Sequence, residues 1–175
     1  MKIYSMFSTT QSEHSLLDIK DPDGAILDFF MLAMSNKGLE NGRALQASAQ
    51  AFFQEESIAD YDYFEPSISL PIFSVLASSC IGETLTAQMS LHPCKTRVGA
   101  GSIEMCAGRI LNRKPIFERV GDYKIQIRQD ADIQQEDLIV RDANLPQFFF
   151  VTESFKTLCE QCRLKIKFKP FSLMK

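Results

Sequence analysis

The C-terminal stretch constrains the fold of this chain more than any other part of it. Residues 147–151 form a strongly apolar run of strand length. Thr152 follows, a residue type whose hydroxyl caps helix N-termini. Glu153 then falls in the first turn, where a carboxylate meets the positive end of the helix dipole. Phe155, Leu158, Cys159 and Cys162 recur at i, i+3, i+4 and i+7, which predicts one apolar helix stripe over residues 153–162. Residues 164–168 alternate apolar and basic side chains, and Pro170 ends the pattern. Strand, helix and strand in that order point to a chain that mixes both element types within one layer system.

The rest of the sequence fits the same class. Residues 2–7 alternate like a first strand, and Asp21-Pro22-Asp23-Gly24 is a turn signal. Residues 25–34 are apolar and suit a buried helix or strand, and residues 36–42 read as a loop. Residues 43–56 are rich in Ala and Gln. Their apolar positions Ala44, Leu45, Ala47, Ala51 and Phe52 predict a helix. Pro71 is expected in the first turn of a helix running through Val75 to about Leu85. Strands are expected at 102–111 and 138–140. A hairpin is expected where 116–120 and 123–128 flank Gly121-Asp122. The expectation is a single α+β domain over residues 1–175, with a mainly antiparallel sheet and helices concentrated in the first half. With 175 residues, 45% of them hydrophobic, such a domain can bury a core without metal or disulfides. The same fraction excludes a largely disordered chain.

Compartment is read from three features. The N-terminal residues carry no secretory pattern. The most apolar stretches, 25–34 and 70–82, fall short of the roughly 20 residues of a spanning helix. The five cysteines are odd in number, which suits free thiols in a reducing compartment. A cytoplasmic protein with no membrane association is expected. Charge is unevenly spread: residues 1–90 hold 4 Lys and Arg against 12 Asp and Glu, and residues 91–175 hold 15 against 10. The formal charge of −3 excludes a general nucleic-acid binder.

No pattern singles out an active site. Cys159-Glu160-Gln161-Cys162 has redox or zinc spacing, but it ends a helix, where the macrodipole does not help a thiolate. Both cysteines read as core. His92-Pro93-Cys94 reads as a loop. A metal there would need Cys80 or Cys106 to converge. Cys94 or Cys106 with His92 or His14 lacks a nucleophile signature. Gly99-Ala100-Gly101 lacks the rest of a phosphate loop, and Asp130, Asp132, Glu136 and Asp137 miss the register of a calcium loop. No cofactor, metal or catalytic residue is expected. Residues 55–66 stand out instead, with five carboxylates among three aromatics. Glu55, Glu56, Asp60, Asp62 and Glu65 are the expected charge contacts, with Tyr61 and Tyr63 as anchors. The basic end Lys165-Ile166-Lys167-Phe168-Lys169 reads as a guarded sheet edge.

The run Leu145-Pro146-Gln147-Phe148-Phe149-Phe150-Val151-Thr152-Glu153-Ser154-Phe155-Lys156, followed by residues 164–171, resembles the ending of immunity proteins of bacterial polymorphic-toxin and type VI secretion systems. In that group an apolar strand leads into a V-[ST]-E-x-[FL]-K helix start and a last strand ending in Phe and Pro. The resemblance is confined to this C-terminal unit. It implies a stoichiometric inhibitor that binds a cognate toxin and has no catalytic residues of its own; the acidic segment 55–66 suits occlusion of a toxin active site whose surface is basic. Two other readings remain open: a small hydrolase or transferase using Cys94 beside His92, and a self-associating structural subunit.

Overall fold

A computed structural model of the chain describes residues 2–8, 16–32, 44–51, 53, 55–58, 60–121 and 124–171. It is an α+β structure with 21% helix and 42% strand, so sheets rather than helices set the frame. The elements in chain order are β1 (Ile3–Phe7), β2 (Leu17–Asp18), α1 (Ala25–Leu27) running into a π-helical turn (Asp28–Leu32), β3 (Leu45–Ala49), α2 (Glu55–Ile58), β4 (Tyr63–Phe64), β5 (Ile72–Ser74) and α3 (Val75–Leu85). Then come β6 (Met89–Val98), β7 (Gly101–Ile110), β8 (Arg113–Lys114), β9 (Phe117–Val120), β10 (Lys124–Ile127), β11 (Ile139–Asp142), β12 (Phe149–Thr152), α4 (Glu153–Gln161) and β13 (Lys167–Pro170).

Six strands form one sheet in the order β2-β3-β6-β7-β5-β4, and five form a second in the order β13-β1-β12-β11-β8. The β9–β10 ribbon stands apart, with Gly121 at φ 69° in its turn. Asp122 and Tyr123, assigned to that hairpin from sequence, lie outside the described residues, as does the loop expected at 36–42. All strand pairs are antiparallel except β3 with β6 and β8 with β11.

The β6–β7 hairpin is the spine of the first sheet. Its pairing runs from Met89 opposite Ile110 to Val98 opposite Gly101. Gly99 takes φ 55° in the connecting turn, a conformation that costs little without a Cβ. This hairpin corrects the reading of His92-Pro93-Cys94 as a loop. Proline is tolerated because pairing with β3 begins only at Cys94, so β6 is an open edge on that side at Pro93. Beyond it, Cys94, Thr96 and Val98 face the core while Lys95 and Arg97 face water.

Two helix expectations are corrected in the same sheet. Residues 45–49 form β3, parallel to β6, with Leu45 and Ala47 inside and Gln46 outside. A two-residue period is present there, and strand pairing overrides the helix propensity of Ala and Gln. Phe52 of that expected helix lies outside the described residues. Pro71 does not open a helix either. It precedes β5, whose Ile72 and Phe73 are fully buried between β4 and β7. The helix begins later, at Val75, because Ser74 Oγ accepts the Ala77 amide at 3.0 Å and caps it.

The second sheet realises the C-terminal strand–helix–strand order, but its last strand is Lys167–Pro170: residues 164–166 precede it, and Pro170, expected to end the pattern, is paired with Tyr4 within it. β12 and β13 flank β1, and α4 follows β12. Lys167 and Lys169 are exposed on the edge strand β13, which discourages pairing with another chain. Thr152 holds the N-cap position, but its hydroxyl donates to the Asp137 carbonyl at 2.6 Å and makes no cap bond. The two sheets and both longer helices share one apolar cluster. Tyr4, Ile139, Val151 and Phe155 meet Tyr63, Phe73, Ile81 and Ile110 there.

Cys80 of α3 and Cys162, just after α4, are joined in a disulfide with their Cα atoms 6.3 Å apart. This corrects two expectations: that the thiols are all free, and that Cys162 is a core residue. The helical stripe does bury Phe155 and Cys159. The side-by-side packing of α3 and α4 instead brings Cys162 to Cys80, a contact that spacing within one helix does not encode. Cys94, Cys106 and Cys159 remain as free thiols.

Candidate protein-contact groove

The capped start of α3 decides what the first sheet presents to solvent. With Ser74 fixed as cap, the core face of α3 is Ala77, Ser78, Ile81 and Leu85. Val75 and Leu76 therefore point outward. They are 52% and 68% exposed, the most exposed of the large apolar side chains among the described residues. Beside them lies a cavity of about 260 Å³ lined mainly by apolar groups, including Ile58, Tyr61, Phe64 and Ile103. Asp62 and Glu104 contribute to its lining.

The seven residues expected at a contact surface are divided by the fold. Tyr61 lines the groove half-buried, its ring 5.2 Å from that of Phe53 and 6.1 Å from that of Phe64. Asp60 is exposed next to it, with one carboxylate oxygen 3.5 Å from Lys165 Nζ. Glu56 is exposed on α2, the turn that also carries the groove residue Ile58. The side chain of Glu55 lies outside the described residues.

Three of the seven face inward. Tyr63 is buried against Phe73, and burial raises its hydroxyl pKa far above the ordinary tyrosine value. Asp62 is buried as well. Its carboxylate accepts the Ser74 hydroxyl at 2.5 Å and the Lys165 amide at 2.8 Å, tying α3's cap to the chain after α4. Glu65 is half-buried and accepts from Ser8 Oγ at 3.2 Å. Burial raises its pKa, against the hydrogen bonds from Ser8 and the nearby charge of Lys169. β4 is covered on both faces, with Tyr63 in one apolar cluster and Phe64 in another, so the adjacent Asp62 and Tyr63 are both structural residues and the contact surface is narrower than the acidic segment itself.

Val75, Leu76, Ile103 and Glu104 were not expected at this site. The signal for Leu76 is present in the sequence. Ser79 and Glu83 follow it at i+3 and i+7, so Leu76 is an apolar residue on the polar side of its helix. Ile103 and Glu104 reach the groove only through sheet pairing, which no local pattern reveals.

The cysteine–histidine pair of β6 has a different character. Cys94 is fully buried, and desolvation pushes its thiol up to about 11, the reverse of what a nucleophilic thiolate needs. His92 packs edge-on against Phe29 and Phe30, and its ring nitrogen lies 2.9 Å from Ser90 Oγ. Burial, then the charge of Arg109, lowers its pKa. Among the described residues no three His, Cys, Asp or Glu side chains converge to hold a metal ion. Nor is any helix of the described residues long and apolar enough to cross a membrane. No protein-family model matches the sequence, and a search of curated proteins returns no match.

Proposed function

We propose that this protein acts by binding another protein and inhibiting it stoichiometrically, in the manner of the immunity proteins its C-terminal unit resembles. The observation that carries the reading is the groove: two outward apolar residues of α3 beside Tyr61, with Asp60 and Glu104 close by. An apolar floor with acidic neighbours suits a partner segment that inserts one apolar side chain and flanks it with Lys or Arg. A toxin whose active site is basic supplies such a surface. The Cys80–Cys162 disulfide supports action in an oxidising compartment in place of the cytoplasm expected from the sequence.

The test is capture from lysate of the source cells, run in parallel with wild-type protein and Leu76→Glu. The expected result is one near-stoichiometric partner, toxic by itself and neutralised by the wild-type protein. Burying a leucine side chain is worth about 1.5–3 kcal/mol, so Leu76→Glu should weaken that complex by about tenfold or more. A partner held equally well by both proteins would place the contact elsewhere. A captured partner whose activity is unaffected by binding would overturn inhibition.

A further inference from the structure

β7 is longer than the strand beside it. β5 covers it only from Met105, opposite Ser74, to Ala107, opposite Ile72. At Ser74 the chain leaves the sheet, because that residue caps α3 and Val75 is already helical. β7 nevertheless extends back to Gly101, and over residues 101–104 its only strand neighbour is β6. That stretch is therefore an open sheet edge, and it lies where β5 would have continued.

The register fixes where the backbone groups of this edge point. The Gly108 amide donates to the Pro71 carbonyl at 2.8 Å, toward the β5 side. Residues of an antiparallel strand alternate in this respect, so the N–H and C=O of Cys106, Glu104 and Ser102 point the same way. Cys106 meets Phe73 there. Ser102 and Glu104 meet no strand, and their outward N–H and C=O have no hydrogen-bond partner among the described residues. Both residues are exposed. Glu104 lines the groove of about 260 Å³ together with Ile103, Tyr61, Val75 and Leu76. The edge also lacks the usual guards. β13 presents Lys167 and Lys169, whereas residues 101–104 are Gly, Ser, Ile and Glu, with no lysine or proline among them.

We propose that the groove takes its partner as an added strand: an extended segment lying antiparallel to β7 along residues 101–104, on the track that β5 leaves. This deepens the protein-contact reading and rests on it. The outward N–H and C=O of Ser102 and Glu104 supply the main-chain hydrogen bonds by which sheet edges hold extended peptides. Side chains of a strand alternate, so the partner residue opposite Ile103 points with Ile103 toward the apolar cavity. Its two neighbours point with Ser102 and Glu104 to the solvent face. Glu104 makes no ion pair among the described residues, and a lysine or arginine opposite it would form one across the strands. The occupant is thus a segment of another protein in which apolar and basic residues alternate.

The experiment titrates the full chain with the blocked peptide Lys-Val-Lys-Val-Lys-Val-Lys and follows backbone amides by NMR. In the free protein the Ser102 and Glu104 amides should exchange fast, unlike those of Ile103 and Met105, which face β6. At saturation they should slow by about tenfold or more. A peptide N-methylated at its lysines should lose binding, because those amides face β7, whereas N-methylation at its valines should leave binding in place. Ser102→Pro removes the outward N–H and keeps every hydrogen bond to β6, so it should weaken binding by about tenfold. Should that variant not fold, the two N-methylated peptides decide the matter. Leu76→Ser tests the apolar groove separately. Binding that falls in Leu76→Ser but is indifferent to Ser102→Pro and to lysine N-methylation would keep the groove and overturn the added strand. Absence of saturable binding, or Ser102 and Glu104 amides already protected in the free protein, would overturn it as well, and the Leu76→Glu capture would then judge the groove by itself.

Discussion

Replacing Asp142 by asparagine should destabilise the protein by about 3 kcal/mol while leaving its shape and volume almost unchanged. Asp142 is fully buried at the end of β11, opposite Lys114 in register. Its Oδ2 accepts the amides of Ile116 at 2.7 Å and Phe117 at 2.6 Å. Its Oδ1 accepts those of Asn144 at 2.8 Å and Leu145 at 2.6 Å. One carboxylate thus holds both the start of β9 and the loop that leads to β12. Asparagine keeps one accepting oxygen and turns the other position into an NH2 group that cannot accept. Two of the four hydrogen bonds are lost whichever way the amide sits. A hydrogen bond to a charged group contributes about 1.5–3 kcal/mol net, so two account for about 3–6 kcal/mol. The low end is expected, because the amide can turn its NH2 toward Asn144, which is exposed and can take water instead. Asp142→Ala removes the acceptor from Ile116 and Phe117 too. Both residues are buried, and an unsatisfied buried amide costs about 1–3 kcal/mol. Alanine should therefore be worse than asparagine by about 2–6 kcal/mol, enough to unfold a domain whose total stability is about 5–15 kcal/mol. Urea unfolding measures both, with amide exchange at Ile116 and Phe117 as the local readout. An asparagine variant within about 1 kcal/mol of wild type would refute the reasoning, given these hydrogen-bond magnitudes.

Three further outcomes are expected. Reduction of the Cys80–Cys162 bridge, or Cys80→Ser, should lower stability by about 4–5 kcal/mol. That is the chain-entropy value for the 82-residue separation, and unfolding with and without reductant checks it. His92 has a lowered pKa in the fold, so protonation favours the unfolded chain. Stability should fall as pH drops below about 6.5, and His92→Phe should flatten that slope in unfolding measured between about pH 7 and 5. Asp62→Ala should cost about 1.5–3 kcal/mol through the lost charge-assisted hydrogen bond from the Ser74 hydroxyl, whereas Asp60→Lys should leave stability near wild type and slow association with the partner in a salt-dependent way.

The parts of the fold that were readable in the sequence are those fixed by neighbours in the chain. The β9–β10 ribbon, β7 and the β12–α4–β13 ending follow from alternation, helical spacing and turn residues within a dozen positions. What was missed depends on distant pairing. β3 is a strand because β6 lies beside it, and Leu45 and Ala47 serve a strand face as well as a helix face. β6 contains Pro93, which argues against a strand until the open edge at that point is known. The disulfide joins residues brought together by helix packing, and the odd cysteine count argued against it because parity is blind to three further thiols.

The acidic–aromatic segment was legible as unusual and not as divided. Its two halves do different work because the chain enters β4 in the middle of it. Before β4, Asp60 and Tyr61 remain at the surface or beside the groove; from Asp62 onward the side chains are drawn into the sheet. Asp62 nevertheless bears on the groove. Its carboxylate accepts a hydrogen bond from the Ser74 hydroxyl, which leaves that oxygen's lone pairs to accept the Ala77 amide and set where α3 begins. That starting point is what turns Val75 and Leu76 outward. A residue expected to touch a partner thus governs the surface a partner would touch, through two hydrogen bonds and the phase of a helix. Composition singles out the segment, but only burial separates the charge that steers from the charge that holds the wall in place.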